Sequence, residues 1–319
     1  MARNRIIYQS QAVEIDGTTC EGVQSCSYGL DVTREDVLQF GDLGAVDRII
    51  LEAPVANMEV SMYVNGLEGN KLGLLIGKGM SGTPIDTSIG LDGEGSDFAA
   101  SDSTVTITSG SLTSFSAEAS VGAIPTMTMG FEGTDLAYSA GGISAPGTSL
   151  NVATQSGVIV KFDQIASGEG FVDHYVHPQS CSVSFDLGVE GLQELSYETH
   201  AGLTGGGNKF QYARVPSYPA TATMELEAFA VDKGMSMTLA TLQQKASEGN
   251  AGKPNSGGKC TVGVDMGGTT FTLVGATLDA VAFSSAVGDT AATCNATFGV
   301  SIGAPDSANR LDIAGTTGP

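Results

Sequence analysis

Two stretches of this chain read almost alike. Gln24 to Val32 is QSCSYGLDV and Gln179 to Leu187 is QSCSVSFDL, 155 residues further on, with Asp31 and Asp186 in the same place. Further anchors follow at a second spacing of 166. RIILEAPVANMEVSMYV from Arg48 faces RVPSYPATATMELEAFA from Arg214, TVTITSGSL from Thr104 faces TFTLVGATL from Thr270, and Val121-Gly122 faces Val287-Gly288. Separated anchors in a common register mark an internal duplication, with the 11-residue difference confined to one connection. The boundary falls in SAGGISAPGTS, residues 139–149, whose Gly, Ser, Ala and Pro suit a linker. The expected organisation is copy 1 over 1–138, a linker over 139–149 and copy 2 over 150–319.

The copies read as strands. In the first anchor Cys26, Tyr28, Leu30 and Val32 alternate with Ser25, Ser27, Gly29 and Asp31, and in the second Cys181, Val183, Phe185 and Leu187 alternate with Ser182, Ser184 and Asp186. Met58, Val60, Met62 and Val64 likewise oppose Asn57, Glu59 and Ser61. Alternation with period two marks a sheet with one packed and one wet face. Gly is abundant at 44, aromatics are 6% and Trp is absent, which suits strands and turns. One helix-like stretch appears per copy, LEGNKLGLLIG at 67–77 and GMSMTLATLQQKA at 234–246, while residues 76–98 read as a long loop. The expected fold is mainly β: two tandem β-sandwich or barrel domains, each with one packed α-helix.

Several chemistries are set aside. CTVGVDMGGTTFTLVG, residues 260–275, has the pattern of a phosphate-cradling hairpin of actin-like kinases, but too little chain follows Thr270 for the rest of such a domain. The repeat explains the segment as two strands, with Gly267-Gly268 as a tight turn. His174 and His177 in DHYVH, with Asp173, sit just before Pro178 and a strand, which favours a loop over a metal site. DGEGSDFAASD (92–102) lacks the acid at the twelfth position of a calcium loop. Cys20, Cys26, Cys181, Cys260 and Cys294 are odd in number and dispersed, so they read as ordinary thiols of a reducing compartment. No nucleophile elbow or convincing triad occurs. No enzyme, metal or cofactor is expected.

The net charge is −21, from 14 Lys plus Arg against 35 Asp plus Glu. Such a surface repels phosphate backbones, so tight nucleic-acid binding is not expected. No apolar run is long enough to span a bilayer, and the basic start MARNRIIYQS lacks the apolar block of a signal peptide. A soluble protein made in the cytoplasm is the expectation.

RNRIIYQSQAV, and then GVQSCSYGLDVTREDVLQFGDLGAVDRIILEAPVANMEVSMYV, resemble the tail tube (major tail) proteins of long-tailed bacteriophages. The resemblance covers roughly residues 3–64 and is strongest over SYGLDVTREDVLQFGDLGAVDRIILEAP; the second copy matches only through its likeness to the first. It implies a β-sandwich or barrel with a flanking helix, placed edge to edge in six-fold rings that stack around a DNA channel. With two tandem copies, three chains would build a pseudo-six-fold ring, so the ring is a homotrimer or a hexamer. The implied partners are the chain itself, other phage tail proteins and passing double-stranded DNA, with no membrane, and the implied location is the virion tail. The candidate lumen-facing acids are Asp31, Glu59, Asp186, Glu225 and Glu227. The candidate ring-stacking loop is 33–42, with Arg34, Glu35, Asp36, Gln39, Phe40 and Asp42. The alternatives are a capsid decoration or head protein, and a secreted β-rich adhesin.

Overall fold

The computed structural model describes residues 11–50, 54–64, 67, 69–91, 103–144, 146, 152, 158–163, 172–173, 178–192, 213–229, 260–285, 292–302 and 311–315. The first half contains β1 (Gln11–Ile15), β2 (Thr18–Thr19), β3 (Val23–Asp31), β4 (Arg34–Leu38), β5 (Ala45–Ile50) and β6 (Val55–Tyr63). After them come α1 (Gly69–Ser81), β7 (Ile85–Leu91), β8 (Ser103–Ser120), β9 (Thr126–Gly133) and β10 (Leu136–Ala140). The second half contains β11 (Val158–Asp163), β12 (Val172–Asp173), β13 (Pro178–Asp186), β14 (Val189–Leu192) and β15 (Ala213–Pro216). It continues with β16 (Ala220–Phe229), β17 (Cys260–Met266), β18 (Thr269–Ser284), β19 (Thr293–Ile302) and β20 (Leu311–Gly315). The fold is mainly β and its ladders are antiparallel.

The pairings of the first half recur in the second. β1 pairs β2 and β7, β7 pairs β8, and β8 pairs β10 and β9; β9 pairs β6, β6 pairs β3, and β4 pairs β5. β11, β12, β17, β18, β20, β19, β16 and β13 repeat this order, and β14 pairs β15. The registers keep the offsets seen in the sequence. Cys26 lies opposite Val60 as Cys181 lies opposite Leu226, and Asp36 lies opposite Arg48 as Gly191 lies opposite Arg214. Even the bulges coincide, between Leu112 and Ser114 on β8 and between Leu278 and Ala280 on β18.

In each copy one long strand serves two sheets. The start of β8 pairs with β7 and β10, and its end with β9 and β13. Between them Ser109 has φ +56°, and the matching residue of β18 is Gly275 at φ +69°. This left-handed conformation disfavours an L side chain, so Gly275 is the better-suited residue. In the first copy the Ser109 N–H donates to Asp86 Oδ1 at 2.8 Å, which helps hold the bend.

The halves join where β13 lies beside the end of β8, with Val183 opposite Ala117 and Phe185 opposite Phe115. The ladder extends beyond the strands: Leu187 N–H donates to Thr113 O at 2.7 Å and Val121 N–H to Gln179 O at 2.9 Å. One continuous run therefore reads β3-β6-β9-β8-β13-β16-β19-β18. Its inner face feeds a single buried cluster that includes Met58, Val60, Met129, Val183, Met224 and Phe298. Full burial stabilises each such side chain by about 1.5–3 kcal/mol relative to exposure. Phe115 of the first copy packs against Phe185 and Phe271 of the second, with ring centroids 5.7 and 5.8 Å apart.

Helix α1 buries Leu72, Leu75 and Ile76, the spacing of one helical face. It packs on β7 and β8 and reaches β15 and β20 of the other copy. Its end is closed by Thr83 N–H to Lys78 O (2.9 Å) and Gly82 N–H to Gly79 O (3.2 Å), the paired bonds of a Schellman cap. This carries the helix past the expected residue 77, because the cap rather than apolar spacing sets its end.

Two expectations are corrected. Residues 76–98 are not one long loop: the helix runs to Ser81, and Ile85–Leu91 is β7 with Ile85, Thr87 and Ile89 buried. Residues 33–42 are not a plain loop either, since Arg34–Leu38 forms β4 and pairs with β5 as a separate hairpin. β10 also runs to Ala140, two residues into the segment read as linker. The helix-like stretch 234–246 lies outside the described residues.

Candidate functional site

The outer face of the eight-strand run follows from its registers, because directly opposed residues share a face. Ser27 lies opposite Glu59, Glu59 opposite Gly130, and Gly130 opposite Ser114. Ser114 lies opposite Asp186, Ser182 opposite both Glu118 and Glu225, and Ser180 opposite Glu227. Glu225 then faces Thr297. Asp31, Glu59, Asp186, Glu225 and Glu227, the candidate acids, are thus brought to one face of one sheet, although they come from distant parts of the chain. Asn57 and Asp31 also share it, with Asn57 Nδ2 donating to Asp31 Oδ2 at 3.4 Å.

Sequence reasoning missed Glu118 and Glu132. Glu118 faces Ser182 and Thr126, and Glu132 faces Asn57 and Ser111, which puts both on this face. The signal was present in the alternation of TSFSAEAS and TMTMGFEG, but only strand order shows which sheet they share. The rest of the face is mainly hydroxyl-bearing. Ser184 and Thr223 exchange a hydrogen bond of 2.9 Å, and Ser180 Oγ donates to Glu227 Oε2 at 3.2 Å. The strand segments 23–31, 55–63, 111–120, 126–133, 178–186, 220–229, 277–284 and 293–302 contain no Lys, Arg or His. The face is therefore anionic without built-in counter-charge, and it repels phosphate over about a Debye length of ~8–10 Å.

The residues of the candidate stacking loop lie apart from this face. Arg34, Glu35 and Asp36 are on β4, and Gln39, Phe40 and Asp42 form the turn that follows, where Asp42 N–H donates to Gln39 O at 3.2 Å. Asp36 Oδ1 and Arg48 Nε form an exposed ion pair across the hairpin at 2.6 Å. The tip is apolar and fully solvated: Leu38, Phe40 and Leu43 are 76%, 106% and 110% exposed.

The Gly267-Gly268 segment is a two-residue hairpin turn between Met266 and Thr269, with φ +69° and +108°. Gly268 N–H donates to Asp265 Oδ1 at 2.8 Å, so the acid fastens the turn. His174, His177, His200 and residues 92–102 lie outside the described residues. Among the described residues no group of His, Cys, Asp and Glu is placed to hold a metal ion, and no helix is long and apolar enough to cross a membrane. Cys20, Cys26, Cys181 and Cys294 are free thiols. Burial pushes the first three up to about 12 and also raises Cys294, so the neutral thiol dominates at neutral pH.

No protein-family model and no curated protein matches the chain. Among solved structures, a chain from the "Tail of empty GTA particle computed with helical refinement, C6 symmetry" matches with 14% identity. It covers 51% of this chain and 98% of that one, with a TM-score of 0.30, too low to carry an argument.

Proposed function

We propose that this protein is a structural subunit of a phage-type tail tube, with two tube folds in tandem and no catalytic role. Chains associate into rings, three per pseudo-six-fold ring, the rings stack, and the tube gives double-stranded DNA a path out of the virion. The observation that carries this reading is the continuous eight-strand face that bears acids and hydroxyls and no basic residue. Facing a channel, that surface would leave DNA mobile, because adsorption to a polyanion is driven by cationic groups that release its counterions. Asp31, Glu59, Asp186, Glu225 and Glu227, with Glu118 and Glu132, would line the lumen. The apolar hairpin tip around Phe40 would meet the next ring. The resemblance of residues 3–64 to tail tube proteins supports the same reading.

Electron microscopy of concentrated protein, with mass photometry of the same sample, tests it. Hollow rings or tubes with three chains per layer are expected, and protein that stays dispersed and monomeric alongside tail-assembly partners would refute it. Replacing Asp31 and Asp186 by Lys should leave tubes intact and impair DNA delivery. Unchanged infectivity would remove these acids from the lumen.

A further inference from the structure

The chain holds one finished junction between copies and the two separate halves of another. In the finished junction β13 lies along the end of β8, and Val183, Phe185, Ala117 and Phe115 are at most 2% exposed. The counterpart of β13 at offset 155 is β3, and the counterpart of the end of β8 at offset 166 is Ala280–Ser284 of β18. These two segments are the outer strands of the eight-strand run. Among the described residues β3 pairs only with β6, and Ala280–Ser284 only with β19. Their inward-alternating positions are not sealed as in the finished junction: Tyr28, Leu30 and Phe283 are 38%, 44% and 65% exposed.

We infer that a second copy of this chain completes the junction, its β18 end pairing antiparallel with β3. Carrying the finished register across by the two offsets sets Asp31 opposite Ala280, Leu30 opposite Val281 and Gly29 opposite Ala282. It also sets Tyr28 opposite Phe283 and Ser27 opposite Ser284. This deepens the ring reading above and rests on its claim of self-association. The pairing covers the exposed apolar side chains, and the one charge in it, Asp31, meets Ala280, so no like charges oppose. Because the two segments end opposite sides of one open sheet, the contact is head-to-tail. Such contacts close into rings when the rotation allows and otherwise propagate.

The finished junction also fixes which backbone groups are used. Leu187 N–H and Val121 N–H donate across it, so residues of the parity of Val183 and Phe185 face β8, and those between them form the closer non-hydrogen-bonded pairs. By the same offsets Tyr28 and Leu30 direct N–H toward the incoming strand, while Ser27 and Ser284 form a non-hydrogen-bonded pair with Cα atoms about 4.5 Å apart, within reach of a disulfide.

The test mixes two single variants, Ser27→Cys and Ser284→Cys, at assembling concentration under copper phenanthroline oxidation, with full-length wild type as the background control for native thiols. A disulfide-linked dimer is expected in the mixture and lost in either variant alone, in wild type, and when Ala282→Cys replaces Ser284→Cys to mimic a two-residue slip. Tyr28→Pro removes an outward N–H from an edge strand without touching the bonds to β6. It should keep the far-ultraviolet circular dichroism of wild type and lose assembly; if it unfolds, the cross-link decides alone. Rings that form without the Ser27–Ser284 linkage and survive Tyr28→Pro would overturn this pairing and leave the ring reading standing. Protein that remains monomeric at all concentrations and yields no linked dimer would overturn both.

Discussion

Phe115 belongs to the first copy, yet its ring is packed by Phe185 and Phe271 of the second, and it is only 2% exposed. Phe115→Ala removes the ring from the place where β8 and β13 meet. Truncating a buried Phe costs about 3–5 kcal/mol through lost transfer energy and the cavity left behind. The two ring pairs place this site toward the upper part of that range, since such pairs add about 0.5–1.5 kcal/mol beyond area burial. The expected loss is ~4 kcal/mol, or roughly 10 °C in Tm at the few degrees per kcal/mol typical of large domains. Denaturant unfolding of dilute monomer, followed by circular dichroism, would measure it. The copies should also uncouple, giving a broader or two-step transition. Leu30→Ala is the internal control: Leu30 occupies the place of Phe185 in the other copy but is 44% exposed, so its truncation should cost under about 1 kcal/mol in the monomer. If Phe115→Ala cost less than ~1.5 kcal/mol and kept one sharp transition, the claim that this cluster ties the copies together would fail.

The Thr87 hydroxyl is buried without a hydrogen-bond partner among the described residues, and the matching position of β17 is Val262. Thr87→Val should therefore raise stability by about 1 kcal/mol in urea unfolding, as an unsatisfied buried hydroxyl is removed at constant shape. Gly275→Ala should cost about 1 kcal/mol, since an added Cβ meets nothing within 4 Å and only the left-handed backbone resists; Ser109→Gly should be neutral or stabilising in the same assay. Phe40→Ser with Leu43→Ser should shift Tm by less than about 1 °C yet shorten tubes into single rings by electron microscopy, as both side chains are fully exposed. The raised thiols predict stability that is level below the unfolded-state value near 9 and falls as pH rises from there toward about 12, because the folded state favours the neutral form. Unfolding at pH 7, 9 and 10.5 would measure that slope.

Much of this architecture was legible because period-two alternation and two constant offsets are strong signals. QSCSYGLDV and QSCSVSFDL give the same inward set, and the structure pairs them identically with β6 and β16. What the pattern cannot encode is neighbourhood. Tyr28 and Val183 alternate alike, yet one lies on an open edge and the other between two strands, so one is 38% exposed and the other 0%. The same blindness hid Glu118 and Glu132, whose membership of the acidic face depends on strand order. β7 was legible in IDTSIGL, where Ile85, Thr87, Ile89 and Leu91 alternate, but the flanking Gly-rich and acidic residues drew the reading toward a loop. β4 gave no such clue, because it packs neither face and carries charged and apolar residues alike in water.

Joining β13 to β8 within one chain has a kinetic consequence. Tethered segments meet at an effective concentration in the millimolar range, whatever the number of molecules in solution. That seam therefore closes during folding and is indifferent to dilution, while the inferred pairing of the outer strands with a second copy would depend on encounter. In the assembly inferred above, expression level would tune only every second seam, and each newly made molecule would wait with one unpaired edge strand at either end. An accidental strand exchange during that wait has half as many places to begin as it would with unlinked copies.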